Sequence, residues 1–255
     1  MPYCKPDTQG AYQRWSMSLL FCLLLPVFSV NAQIVDSIVT KQDDKVFIQY
    51  VDIKRRVLME GNYKNNKKEG VWTRFGYSGF PESIISYKEG MKDGAELIVG
   101  LDGYVEQMAM YRKDQLHGPF RLYFKGARIN QEIYYQDGYE HGLKRIFFGD
   151  GGLQEEGYMK NGLKDSLYTW YFQNGYKAVE YMYKNGLLHG KAYIYDEQGN
   201  MTTSGSYVDG KEEGEWKEYY PTHWPKVEGI YKNGEKKGVW KYYDETGKLL
   251  KTEKY

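Results

Sequence analysis

Apolar and polar positions repeat along this chain with a period of 24 residues. Tyr63, Tyr87, Tyr111, Tyr135, Tyr183, Tyr207, Tyr231 and Tyr255 share one register, and Met159 takes the remaining place. No insertion or deletion interrupts that comb. Six residues before it stand Val57, Val105, Ile129, Leu153, Met201 and Leu249; three before it stand Glu60, Glu132, Glu156, Glu180 and Glu228. In a regularly pleated strand an offset of six shares the tyrosine's face, and an offset of three does not. The spacing therefore predicts a strand with aliphatic and tyrosine on one side and glutamate towards water. Pro81 and Pro225 replace the aliphatic residue twice and mark strand starts.

A second strand runs away from each comb position. Trp72, Phe120, Tyr168, Trp216 and Trp240 lie nine residues past it. Phe75, Tyr123, Phe147, Tyr171, Tyr195, Tyr219 and Tyr243 lie twelve past it, with Val99 as the exception. Either both faces carry aromatic rings, or a bulge re-aims one set.

Glycine separates these strands. Gly90, Gly138, Gly162, Gly186, Gly210 and Gly234 follow the comb by three residues, with Asn66 and Asp114 in the other two units. Asn and Asp tolerate positive φ best after glycine, so a left-handed backbone is expected there. A second glycine stands seven past the comb, from Gly70 to Gly238, with Ser166 as the substitute. A third, such as Gly199 or Gly247, lies sixteen past it in polar runs like DEQGN. Two turns per 24 residues leave room for two strands of about five to seven residues, which is a β-hairpin. A helix would lose about 1 kcal/mol at each glycine, and no 3.6-residue stripe is present. Units too small to bury their own apolar face must stack. The predicted fold is all-β: an elongated, twisted, single-layer antiparallel sheet of about eight hairpins. Sixteen strands at a spacing of about 4.8 Å give a ribbon of roughly 75 Å. The lysines of the closing segment GKLLKTEKY guard its last edge.

The motif YKNGEKKGVWKYY resembles the MORN repeat, and the 24-residue spacing is similar to its bacterial MORN-variant branch, which includes YwqK-type antitoxin-like proteins. The resemblance covers residues 60–255. It implies a sheet of successive hairpins acting as an interaction module for proteins and, in some members, membranes.

The first 32 residues differ in kind. Arg14 precedes an apolar stretch from Leu19 to Val30, and Val30-Asn31-Ala32 offers a cleavage site. This reads as a secretory signal with Gln33 as the mature start. Met17 is an alternative initiator, and Phe21 before Cys22 argues against lipidation. Residues 33–59 are expected to form capping strands, and 60–255 the eight repeats. Both cysteines, Cys4 and Cys22, leave with the signal, which suits an oxidising space. Without Lys5, Arg14 and Asp7, the 35 basic and 34 acidic residues become 33 of each. That interspersed balance speaks against nucleic acid as a partner.

Catalytic signatures are missing: there is no G-x-S-x-G, H-E-x-x-H or phosphate-cradling loop. No cofactor or metal is expected. His117, His141 and His189 share one slot before the second glycine, but neighbouring hairpins would hold them about 10 Å apart, too far for common zinc ligation. The expected function is an exported, non-catalytic scaffold binding another protein of the envelope, periplasm or secreted space. The alternatives are a glycan- or lipid-binding surface protein, or a neutraliser of an exported toxin. The candidate interaction residues are Trp72, Tyr123, Tyr171, Tyr195, Trp216, Tyr219, Trp240 and Tyr243. Trp224 joins them from the run Pro221-Thr222-His223-Trp224-Pro225, where an exposed indole could anchor a partner or pack on its neighbour.

Overall fold

The computed structural model describes residues 34–42 and 44–255. The segment 1–32, with its expected signal, both cysteines and the alternative start, lies outside the described residues. Every described element is a β-strand, twenty in all. Two of these, Lys211–Glu212 and Gly214–Tyr219, are halves of one strand broken at Glu213, whose N–H donates to the Ser206 carbonyl. Each strand pairs antiparallel with its neighbours in sequence, and the first does not pair with the last. The result is one open meander. The predicted hairpin sheet is therefore present. Ahead of the comb, Asp36–Gln42 and Lys45–Val51 form a further hairpin whose second strand pairs with Val57–Lys64.

The short turns are alike in all eight units. Two loop residues, from Asn65-Asn66 to Asn233-Gly234, have φ of 49–53° and 60–87°. Positive φ at both centres is the type I′ geometry, whose twist matches that of the flanking strands. Each of the seven later turns is also tied to the previous unit, as where Gly90 N–H donates to the Lys68 carbonyl at 2.9 Å and Gly234 N–H to the Glu212 carbonyl at 2.9 Å.

Two bulges per unit decide which side each residue faces. In the returning strand one extra residue enters five before the comb: Thr73 pairs Ile84 and Arg74 pairs Ser83, but Phe75 pairs Pro81. The same slip occurs where Ile146 pairs Glu155 and Phe147 pairs Leu153. Residues opposite each other on antiparallel strands share a face. The aliphatic residue consequently lies with the aromatic twelve past the comb, on the glutamate's side. This corrects the regular-pleat expectation, which placed it with the tyrosine, because a bulge resets the two-residue alternation. The second bulge lies at the positive-φ position seven past the comb. There Gly157 pairs Tyr168 while Tyr158 pairs Asp165, leaving Ser166 and Leu167 outside that pairing. It precedes both aromatic positions, so rings occupy both faces.

Candidate functional site

One face carries the comb tyrosines and the rings nine past them. Its packing obeys a volume rule absent from the comb itself. The residue two before the comb stands opposite the ring and varies inversely with it. Gly61, Gly157, Gly205 and Gly229 face Trp72, Tyr168, Trp216 and Trp240, and a Cβ on any of these glycines would fall inside the ring. Where the ring is lost, the opposite residue grows: Tyr181 faces Ala192 and Ile133 faces Lys144, while Ala109 faces Phe120. A single layer has no opposing layer to fill a gap, so each rung must reach the same thickness alone. The signal lay in the sequence as Gly61, Gly157, Gly205 and Gly229, four further glycines that mark no turn.

The rings meet edge-on. Trp72 stands 4.9 Å from Tyr63 and 6.5 Å from Tyr87, and Tyr231 5.0 Å from Trp240. Such contacts add about 0.5–1.5 kcal/mol each beyond area burial. Lysines close this face from above: Lys68 Nζ lies 4.5 Å from the Trp72 ring, and Lys164 Nζ 4.1 Å from that of Tyr168. Burial holds both lysines below their ordinary pKa. Burial, with the Glu155 carboxylate accepting the Tyr168 hydroxyl at 2.6 Å, pushes the Tyr168 phenol well up.

The opposite face is charged. Its glutamates do not stand free in water, as the plain alternation predicted, but are half-covered or buried. Glu180 is 9 % exposed, takes a hydrogen bond from the Tyr195 hydroxyl at 2.8 Å and pairs with Lys177 at 2.6 Å. Arg121 and Arg145 bind Glu132 and Glu156 at 2.7 and 2.6 Å. The tyrosine hydroxyls and cross-strand cations reach the carboxylates because the ring twelve past the comb and the residue opposite the glutamate both stand on the glutamate's own face.

Glu228 accepts from the Tyr243 hydroxyl at 2.8 Å, with Lys217 and Lys241 at 3.3 and 3.5 Å. The Tyr243 bond, then Lys217 and Lys241, hold its carboxyl below the usual range despite partial burial. A depressed folded pKa contributes stability above the unfolded value and loses it as pH falls through the folded one. Removal of the Tyr243 hydroxyl in Tyr243→Phe is expected to raise the Glu228 midpoint towards the ordinary glutamate value. A carboxyl-carbon NMR titration reads this directly, and an unchanged midpoint would deny that bond its role.

Beside the glutamates on this face runs an apolar stripe. Tyr134, Tyr158 and Leu167 are 45, 42 and 47 % exposed, and Pro119 and Leu143 pair directly with the two tyrosines. The histidine slot borders it at the short-turn edge. Glu69, Asp93 and Glu213 each accept the N–H of the next unit's turn, at 2.9, 3.3 and 2.8 Å. His117 Nδ1 accepts the Asp137 N–H at 3.4 Å, and His189 Nδ1 lies 3.2 Å from Asp209. The slot thus links turns, and among the described residues no three His, Cys, Asp or Glu side chains converge as metal ligands.

The expected interaction residues fall on three surfaces. Trp72, Trp216 and Trp240 belong to the tyrosine face, with Trp72 and Trp240 only 3 % exposed. Tyr123, Tyr171, Tyr195, Tyr219 and Tyr243 lie half-buried on the glutamate face. Trp224 stands at the long-turn edge, 53 % exposed yet resting on Gly247 of the next turn. Two clefts are shallow, and the second is lined in part by one of these residues, Tyr243. One of about 390 Å³ lies beside Arg56, Glu60 and Tyr77, and one of about 270 Å³ beside Tyr220, Tyr242 and Tyr243.

The last two units, with rings at Trp216 and Trp240 and comb tyrosines at Tyr231 and Tyr255, decide the comparison with known proteins. Residues 212–233 and 236–255 match the MORN repeat variant family. The MORN match ends on the comb position Tyr255, and the pairing pattern of the matched units recurs back to Tyr63. MORN repeats are generally protein- or membrane-interaction repeats, which agrees with a non-catalytic scaffold. No curated protein matches the chain.

Proposed function

We propose that this chain is an exported MORN-type scaffold, of the bacterial YwqK-like branch, which binds another envelope or secreted protein on its glutamate face. The observation that carries this reading is the asymmetry of the two faces. Lysines and reciprocal packing close much of the tyrosine face, whereas the other displays Tyr134, Tyr158 and Leu167 beside an Arg121–Glu132–Arg145–Glu156 row. An apolar centre with a polar, hydrogen-bonding rim is the usual anatomy of a protein-binding surface. Export rests on the apolar stretch Leu19–Val30 with its Val-Asn-Ala site, and on a remainder without cysteine.

The test is capture from envelope extract by the chain from Gln33 onward, compared with the folded double variant Tyr134→Lys/Tyr158→Lys. A partner recovered reproducibly by the former is expected to be depleted at least about tenfold by the latter, as when two hot-spot rings are lost. Recovery of no partner, or equal recovery, sinks the reading. Binding instead to arrayed glycans or liposomes, lost in Trp224→Ala, would favour the long-turn edge, where Tyr176 and Trp224 are half-exposed.

A further inference from the structure

Four units place a large ring over glycine, and three of them cover it with their own ammonium. Lys68 lies over Trp72 and Tyr87 at 4.5 and 4.7 Å. Lys164 lies over Tyr168 and Trp170 at 4.1 and 4.4 Å, and Lys236 over Trp240 and Tyr255 at 4.2 and 5.1 Å. Each of these lysines stands five residues past its comb position. The covered rings Trp72, Tyr168 and Trp240 are 3, 0 and 3 % exposed.

The fourth unit differs at that one place, where it carries Glu212. Trp216 has one face on Gly205 and stands edge-on to Tyr207 at 5.3 Å and to Tyr231 at 5.7 Å, the same frame as its homologues. Without a lysine above it, Trp216 remains partly exposed. Glu212 is half-buried, and among the described residues its side chain has neither an ion pair nor a hydrogen bond. Burial, with Glu212 among the nearby charges, pushes both the Tyr207 and Tyr231 phenols up. Elsewhere a carboxylate on this face has a cation: Glu96 pairs with Lys92 at 2.5 Å and Glu140 with Lys144 at 3.3 Å.

We propose that Tyr207, Trp216, Tyr231 and Glu212 form a binding site for an alkylammonium cation, the chemistry of a lysine side chain presented from outside. The rings attract a cation to their faces, and the carboxylate neutralises it in a partly desolvated place. The other three units show that the frame accepts an ammonium about 4–5 Å from the rings. The site stands on this one unit and is independent of what the glutamate face binds.

The experiment titrates the chain from Gln33 onward, ¹⁵N-labelled in its indoles, with n-butylammonium chloride against sodium chloride at constant ionic strength. A saturable shift is expected at the Trp216 indole N–H and not at Trp72 or Trp240. Glu212→Gln is expected to weaken binding about fivefold, the scale of one partly exposed charge pair. Glu212→Lys should fill the frame from within, abolishing the response and shielding Trp216 from acrylamide. Lys236→Glu should transfer a response to Trp240. A linear drift shared by all tryptophans, or an unchanged response in Glu212→Gln, overturns the proposal.

Discussion

Truncation of Trp72 to alanine is expected to lower the unfolding free energy by about 3–5 kcal/mol, the usual cost of emptying a large aromatic site. The ring is 3 % exposed and lies against Gly61, Tyr63, Tyr87 and Lys68, while its Nε1 donates to the Asn62 carbonyl at 3.1 Å. Nothing behind it can collapse into the space, because the sheet has one layer. The rung formed by Tyr181 and Ala192 shows the remedy. Adding Gly61→Tyr to Trp72→Ala should restore about half of the loss or more by supplying the ring from the other strand. Urea unfolding measures the total. Hydrogen exchange locates it, since units in a linear stack are destabilised mainly beside the lesion. A loss below about 1 kcal/mol, or a double variant no better than the single, would refute the volume rule.

The second large effect concerns the bulge glycines, which fall into two groups. Gly94, Gly118, Gly142 and Gly190 have φ of 105–113°, whereas Gly70, Gly214 and Gly238 have φ of 69–80° and Ser166 already occupies the site at 64°. The lower values are left-handed helical backbone that a polar residue can adopt; the higher ones are nearly reserved to glycine. A Cβ at Gly190 would also lie 2.9 Å from that of Met182, while the space around Gly238 is open. Gly190→Ser should therefore cost about 3 kcal/mol, and Gly238→Ser about 1 kcal/mol, with the difference read from paired thermal or urea transitions. Equal costs would mean that the bulge relaxes freely and does not set the faces.

Much of the fold was legible from Tyr63 onward. The comb and the glycine three past it specify hairpins and a shared turn type, since φ > 0 at two successive residues is a local demand. The period also identifies Ser166 and Asn66 as substitutes within the same geometry. The sides of the strands were not legible. A bulge leaves no mark beyond one extra residue, so the aliphatic position was expected beside the tyrosine. Glu180 and Glu228 were expected in water because the face of the rings twelve past the comb was open, and they lie among tyrosine hydroxyls and lysines instead. The candidate rings divide between two faces because positions nine and twelve past the comb have opposite parity with no bulge between them, and Trp224 sits in a long turn at the edge. The sites at Glu212 and Tyr158 emerge only when units are compared across the sheet.

By itself the sequence determined the repeat, its two turns and the antiparallel neighbour-to-neighbour order, because each follows from backbone freedom within one 24-residue block. Only the tertiary structure decided which residues face which side and which are covered. Those depend on pairing slips and on ring volumes in adjacent strands, where a Gly61 or a Lys68 takes its meaning from Trp72 across the ladder.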